Sequence, residues 1–342
     1  MTSLKSLIVL GVGDSEPADR NIKRMHNYAL EAGLSSFRAD YHQIQDLPDI
    51  NSDKIYVMPF FPFTFWNEHC ETPKDTLLYG TSQRAYHLFC EFLSEKKAEL
   101  QHKYGARLEF LIDLEKAALD RDKQATKDTL EKSSIPTPDN IRYRSTQDVI
   151  DAIGNAGIFI KCMYGSEGKG ITYLSRGKWV TNYRVSDGRL GNYGVYDRWP
   201  FTDITGRVDL LESLLSTTVT VEREIVTPDI FNGMKFDVRA YSILGQVPHM
   251  FVRVNERGNV TTNVSQGARV MHHPNTGLDK TQIDLCKDLA LRSSQAMGLN
   301  ILGVDIMFDG EMGKVVEVQA FTGFSDIRSF DIAGHLVSSM AK

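Results

Sequence analysis

The 342-residue sequence has no long apolar run, no paired cysteine motif and no large excess of charge, and each absence removes a class of function. The apolar stretch near the N-terminus, Leu7-Ile8-Val9-Leu10, stops at Gly11. That is too short for a signal peptide's apolar region or a membrane span, so a cytoplasmic location is expected. The glycosylation-like triplets at Asn259 and Asn263 then carry no meaning. The four cysteines, Cys70, Cys90, Cys162 and Cys286, lie far apart, with no C-x-x-C pair and no histidine at metal spacing. Free thiols, buried or partly buried, are expected instead of disulfides or a zinc site. A net charge of −5 offers no general footprint for nucleic acid or an anionic membrane. No G-K-[ST] loop leads into a helix, and the G-x-G-x-x-G dinucleotide spacing is missing. The nine histidines are scattered, and nothing suggests Ser–His–Asp or Cys–His catalysis. The adjacent His272 and His273 would face opposite ways on a strand, which places them in a surface turn before Pro274.

What is present is an ordinary globular composition, 42% hydrophobic and 24% charged, on a chain long enough for two or three subdomains around a cleft. Residues 6–13 predict a strand ending in glycines, an amphipathic helix follows to about Gly33, and residues 55–61 predict a second strand. Between Ser82 and Gly105, the positions Ala85, Leu88, Phe89, Phe92 and Leu93 repeat at helical spacing. Strands alternating with helices suggest a small α/β domain with a parallel sheet, ending near residue 115. The aromatic stretch 59–66 reads as a loop that either packs between domains or walls a substrate pocket past a strand end. A polar-faced helix over 120–132 runs into Ile135-Pro136-Thr137-Pro138, which cannot continue it. Ser145 and Asp148 form a capping pair. Residues 158–161 and 171–174 make a hairpin around a glycine-rich turn, and 181–205 show no period and read as loop. Strands are then expected near 219–226, 237–244, 250–255, 304–308 and 315–318. One long helix lies between Asp279 and Met297, closed by Gly298. Such runs of strands suggest an antiparallel sheet in an α+β domain.

Three clusters carry chemistry. In Lys161-Cys162-Met163-Tyr164-Gly165-Ser166-Glu167-Gly168-Lys169-Gly170, three glycines let backbone N–H groups approach phosphate oxygens. Ser166 adds a hydroxyl, and Lys169 and Lys161 add positive charge. A plain β-turn with surface lysines has the same composition. In Asp305 and Glu317-Val318-Gln319, alternate strand residues share a face, so two carboxylates and an amide oxygen converge. Such hard oxygen ligands suit Mg²⁺, although strand carboxylates also pair with arginines. In Asp237-Val238-Arg239 and Arg253, arginines beside that face could hold a phosphoryl group and a substrate carboxylate, or simply be solvated strand charges.

The order of these pieces narrows the reading. Asp122-Lys123 precedes a helix ending in Ile-Pro-x-Pro. After it come the Lys161 glycine loop, Val221-Glu222-Arg223-Glu224-Ile225, Asp237-Val238-Arg239, Arg253, Asn263 with Gly267-Ala268, Gly303-Val304-Asp305 and Glu317-Val318-Gln319. Together, over about residues 115–325, they resemble the ATP-grasp superfamily, within it the glutathione synthetase and ribosomal-protein glutamate ligase branch. The resemblance implies an ATP-grasp fold, both α/β and α+β. Residues 1–115 would form a small N-terminal domain with a parallel sheet, 116–220 a central lid domain, and 221–342 a C-terminal domain with an antiparallel sheet and a metal site.

It also implies roles. Lys123 and Lys161 would contact nucleotide phosphates, with Lys161 also near the adenine. Gly165, Ser166, Gly168, Lys169 and Gly170 would form the lid over the β- and γ-phosphates. Arg223, Glu224 and Ile225 fall on the adenine hinge, where Glu222 and Glu224 compete for the acidic role. Asp237 would lie near ribose and phosphates. Arg239 and Arg253 would face the phosphoryl group and the substrate, with Asn263 beside the transferred phosphate. Asp305, Glu317 and Gln319 fall on the metal-ligand positions. Two departures stand out: Gln319 replaces the usual asparagine, and Ala320-Phe321-Thr322-Gly323-Phe324 replaces the usual small residue–Pro–Gly turn.

The implied activity is an ATP-dependent carboxylate–amine (or thiol) ligase working through an acyl phosphate, with ATP and one or two Mg²⁺ (or Mn²⁺) as cofactors. The partners would be small-molecule carboxylate and amine substrates, such as an amino acid, with no nucleic acid and no membrane; a homodimer stays open. The alternatives are a kinase on the same scaffold and a nucleotide-binding regulator without turnover.

Overall fold

The computed structural model describes residues 4–13, 16–71, 78–195, 197–272, 276–324 and 328–342. Strands β1 (Lys5–Leu10), β2 (Ser35–Ala39), β3 (Lys54–Pro59) and β4 (Leu108–Phe110) form a parallel sheet in the order β2-β1-β3-β4. In β1, Leu7 to Leu10 are fully buried on both faces, as a parallel sheet covered by helices requires. Those helices include Glu16–Glu31 and Gln83–Tyr104, the latter capped by Ser82 and closed by Gly105.

The second sheet is antiparallel. Its strands are β5 (Ile158–Cys162), β6 (Ile171–Ser175), β7 (Lys178–Thr181), β10 (Thr202–Asp203) and β11 (Val219–Arg223), in the order β10-β7-β6-β5-β11. Between β7 and β10 the chain makes a separate hairpin, β8 (Arg184–Ser186) with β9 (Arg189–Gly191). The stretch expected as loop over 181–205 is therefore partly strand. Its strands span only two or three residues, too few to leave a period in the sequence.

The third sheet holds β12 (Met234–Ile243), β13 (Gln246–Glu256), β14 (Arg269–His272), β15 (Ile301–Asp309) and β16 (Met312–Gln319), antiparallel in the order β14-β13-β12-β15-β16. Helix Lys280–Met297, started by an Asp279–Gln282 capping box and stopped by left-handed Gly298, covers one face through Cys286, Leu289 and Ala290. On β12, Phe236, Val238 and Ala240 join this core while Lys235, Asp237 and Arg239 take the opposite face. The alternation puts buried charge on the face turned away from the helix.

Other expectations shift locally. The 59–66 stretch is not all loop, because Phe63–His69 is helical. Phe61 packs edge-on against Phe321, 5.6 Å between ring centres, and Phe60 meets Phe324, so these aromatics join the C-terminal end of β3 to the segment after β16. The helix expected from Asp120 begins at Lys123, because the Asp122 carboxylate caps it by accepting from Ala125 N–H. His272 ends β14 with its ring against Phe251, so it is not in a turn; His273 and Pro274 lie outside the described residues. Helix Ile332–Ala341, unanticipated in the sequence, returns to pack on Glu16–Glu31. Cys70, Cys90, Cys162 and Cys286 are free thiols, all buried except Cys90. No helix among the described residues is long and apolar enough to cross a membrane.

Candidate active site

A cleft opens between the second and third sheets, and most of the charged motifs line it. Strand β5 delivers Lys161, whose ammonium donates to the Glu222 carboxylate of β11 at 2.6 Å, a diagonal cross-strand pair. Burial alone would raise the Glu222 carboxyl; Lys161 and, farther off, Lys127 override it and hold it below the usual range. Glu224 is engaged elsewhere, accepting from Gly157 N–H at 2.8 Å and the Tyr173 hydroxyl at 2.7 Å. Of the two glutamates that competed for the acidic role, Glu222 is thus the one in contact with Lys161. Lys123, at the start of its helix, donates to the Gly165 carbonyl at 2.6 Å.

The glycine loop crosses the mouth of the cleft. Gly168 has φ +71, a conformation that disfavours side chains, and a methyl group there would overlap the Asn263 amide. The loop tip thus leans directly on the third sheet's side of the cleft. Gly165 and Gly170 instead pack on the Cys162 thiol, and neither lines the cleft. Two contacts fasten the loop to the region of the first sheet. Ser166 N–H donates to the Tyr79 hydroxyl at 3.0 Å, and Lys169 donates to buried Glu71 while lying 4.6 Å over the Trp199 ring.

The third sheet supplies the floor. Arg253 on β13 stands opposite Asp237 on β12, and Arg239 on β12 opposite Asp305 on β15, which in turn faces Glu317 on β16. Arg239 grips both oxygens of Asp305, and Arg253 bridges Asp237 at 2.5 Å and Asp305 at 2.9 Å. Thr262 adds a hydroxyl to Asp237 at 2.8 Å. Burial raises the Asp237 carboxyl, and its single arginine does not fully offset that. Burial also works against Asp305, but two guanidiniums overcome it and bring that carboxyl down to about 2.

The donor chemistry bears on a metal. Asp305 and Glu317 both line the cleft, whereas Gln319 lies opposite Gly303 and outside the lining. Among the described residues no trio of His, Cys, Asp or Glu is arranged to hold an ion. Two carboxylates fit a magnesium ion shared with phosphate oxygens, and do not fit a metal held by protein alone. Arg239, gripping Asp305, likewise stays outside the lining.

Several lining residues escaped the sequence reading. Asp120 is buried, accepting from Ala320 N–H at 2.9 Å with Arg121 3.2 Å from its other oxygen, so it ties the turn after Gln319 to the cleft wall. Lys127, whose ammonium burial pulls down, donates to the Asn140 side chain and the Pro138 carbonyl. Lys235 also lines the cleft. Each lies one turn or one alternate residue from a motif member, and that spacing was the available signal.

Residues 206–340 match the RimK-like ATP-grasp domain family. Among curated relatives, a probable alpha-L-glutamate ligase of Shewanella halifaxensis is 23% identical over 229 residues, 65% of this chain and 42% of that protein. Another from Rhodopirellula baltica is 26% identical over 228 residues, 65% of this chain and 47% of that protein. The chain thus spans about half the length of the curated relatives it matches. Among solved structures, the ATP-grasp ligase PsnB, complexed with a precursor variant, Mg and ADP, superimposes with a TM-score of 0.60 at 14% identity, covering 99% of this chain and 98% of that one. D-cycloserine synthetase DcsG does so at 0.59 and 13%, covering 98% of each chain. D-alanine–D-alanine ligase of Bacillus anthracis does so at 0.53 and 12%, covering 99% and 96%. The described chain thus has the fold of the ATP-grasp ligases, and its residues 206–340 match the RimK-like ATP-grasp domain family.

Proposed function

We propose that the chain is an ATP-dependent ligase that joins a carboxylate to an amine or thiol through an acyl phosphate, releasing ADP and phosphate. One observation carries the reading: Lys123, Lys161, Ser166, Lys169, Arg253 and the Asp305–Glu317 pair all border one cleft. The likeness to proteins named alpha-L-glutamate ligases favours an amino acid, free or within a peptide, as a substrate.

In this reading Lys123 and Lys161 neutralise the triphosphate, with the 222–225 segment beside the base. Arg253 stabilises the phosphoryl group as it passes to the substrate carboxylate, Arg239 orients Asp305, and Asn263 sits beside the transferred group. Transfer of this kind needs positioning and charge neutralisation more than covalent chemistry. Asp305 and Glu317 would hold magnesium, which would supply the remaining positive charge; Gln319, outside the cleft lining, is left out of this set. The glycine loop keeps water from the acyl phosphate until the nucleophile attacks.

Phosphate release from MgATP, screened against pairs of amino acids and amines with mass spectrometry of the product, tests the proposal. Acceptor-dependent ADP formation with a new amide or thioester mass is expected. ADP formed without any acceptor, leaving a stable phosphorylated product, would make the chain a kinase instead. Binding without Mg²⁺-dependent consumption across the panel would make it a regulator.

A further inference from the structure

Lys169 borders two spaces. One is the cleft; the other is a small chamber lined as well by Glu71, Tyr79, Tyr193 and Trp199. The Lys169 ammonium stands 2.5 Å from the buried Glu71 carboxylate, 4.6 Å over the Trp199 ring and 5.7 Å over the Tyr79 ring. A carboxylate flanked by aromatic faces is a general device for holding an ammonium ion. Glu71 is 6% exposed, and its other oxygen accepts from the Trp66 indole N–H at 3.1 Å. Among the described residues, no cation other than Lys169 comes within 4.0 Å of it.

Two demands fall on Lys169. In the proposed function its charge belongs at the β- and γ-phosphates, whereas here it neutralises Glu71. Gly168 and Gly170 flank it, both left-handed, so the segment can turn and re-aim the side chain. Its second partner, Glu167, lies on the same loop, is half exposed and would travel with it. Glu71 belongs to another element, just past helix Phe63–His69, and stays behind. A buried carboxylate stripped of its cation is strongly disfavoured, so another cation must replace the lysine. The free space in the chamber is about 20 Å³, room for about one water molecule, so the replacement enters only as Lys169 leaves. The same wall holds a second unmet group, the Trp199 indole N–H, which is buried without a hydrogen-bond partner. An incoming ligand with an oxygen near its ammonium would satisfy both.

We infer that Glu71, Tyr79 and Trp199 form a cation cage for a substrate ammonium group, filled by Lys169 until nucleotide draws the lysine away. An ammonium held this way keeps its proton, so it is not the nitrogen that attacks the acyl phosphate. The substrate therefore carries a cationic group besides its reacting one, and it binds after the nucleotide. The exchange rests on the proposed nucleotide reading of the cleft; the cage itself does not.

Methylammonium chloride is the probe, followed by the NMR signal of the Trp199 indole N–H in the full chain, which has three tryptophans. Trp199→Phe identifies that signal, and sodium chloride at equal concentration controls for ionic strength. Lys169→Ala empties the cage and should bind methylammonium at roughly millimolar concentration without nucleotide, while the wild type should not. Adding Glu71→Gln to Lys169→Ala should weaken that binding about tenfold or more. In the wild type, the ATP analogue AMPPNP with Mg²⁺ should open the cage to methylammonium. No methylammonium-specific shift in a Lys169→Ala protein whose indole signals are dispersed as in the wild type, or a shift that Glu71→Gln leaves intact, would overturn the cage. AMPPNP that binds by calorimetry without opening the cage would overturn the exchange. If AMPPNP does not bind, the nucleotide reading and the exchange fall together, and the Lys169→Ala result still decides the cage.

Discussion

The two walls of the cleft are built on opposite plans. The floor is a closed electrostatic unit: two arginines and two aspartates on three adjacent strands, buried and mutually paired. The lid is a loop with left-handed glycines, held by a few contacts to Tyr79, Glu71 and Trp199 that lie outside its own sheet. A buried paired network resists rearrangement, since losing one member strands the others without partners. A loop held by exchangeable side-chain contacts can open, close and trade those partners for a ligand. In the proposed reading, the difference suits the floor to holding a fixed geometry and the glycine loop to moving.

The largest effect should come from the floor. Asp305→Asn is expected to lower ADP formation by about 100-fold or more, as for loss of one preorganised electrostatic group worth about 2.7–4 kcal/mol. Activity within a few-fold of wild type would remove Asp305 from the machinery. Strong acid should also weaken the floor. Asp305 is held at about 2, below its unfolded value, so its contribution is present above pH 4 and fades as pH falls toward 2. About 2 kcal/mol of stability is at stake in that window. Denaturant midpoints between pH 5 and 2 should show the loss in the wild type, and a smaller one in Asp305→Asn. Identical slopes would mean that the quartet does not report on folding.

The lid should respond more mildly and in a different observable. Gly168→Ala places a methyl group against the Asn263 amide at a left-handed position. It should raise the KM for ATP several-fold, with little change in melting temperature. An unaffected KM would show that the loop tip need not approach the third sheet. Glu71→Gln keeps the shape but removes the charge that holds Lys169, and should speed tryptic cleavage at Lys169 a few-fold in the absence of nucleotide. Unchanged cleavage would mean that the loop is held by its backbone contacts alone.

Much of the frame was legible from sequence because its signals are local. Capping residues at Ser82, Ser145 and Asp279, glycine stops at Gly105 and Gly298, and apolar alternation along β12 and β15 are written within a few residues. Strand β14 and helix Ile332–Ala341 were missed, because one is four residues long and the other owes its place to the surface of Glu16–Glu31. Among the candidate site residues, those inside ordered motifs could be named in advance. Asp120, Lys127 and Lys235 could not, because an isolated charge reads as solvated until the fold buries it.

The amino-acid order alone determined which residue types alternate on each strand, where helices begin and end, and that a glycine loop precedes an oxygen-rich pair of strands. The tertiary structure decided which of those charges meet. Asp305 could have been a lone carboxylate, and only the adjacency of β12, β13 and β15 gives it two arginines; Lys235, on the same face of the sheet, has no carboxylate within 4.0 Å among the described residues. Local propensity acts over a few bonds, whereas pairing and desolvation of charge depend on distant residues, such as Arg239 and Asp305, 66 positions apart, being folded against each other.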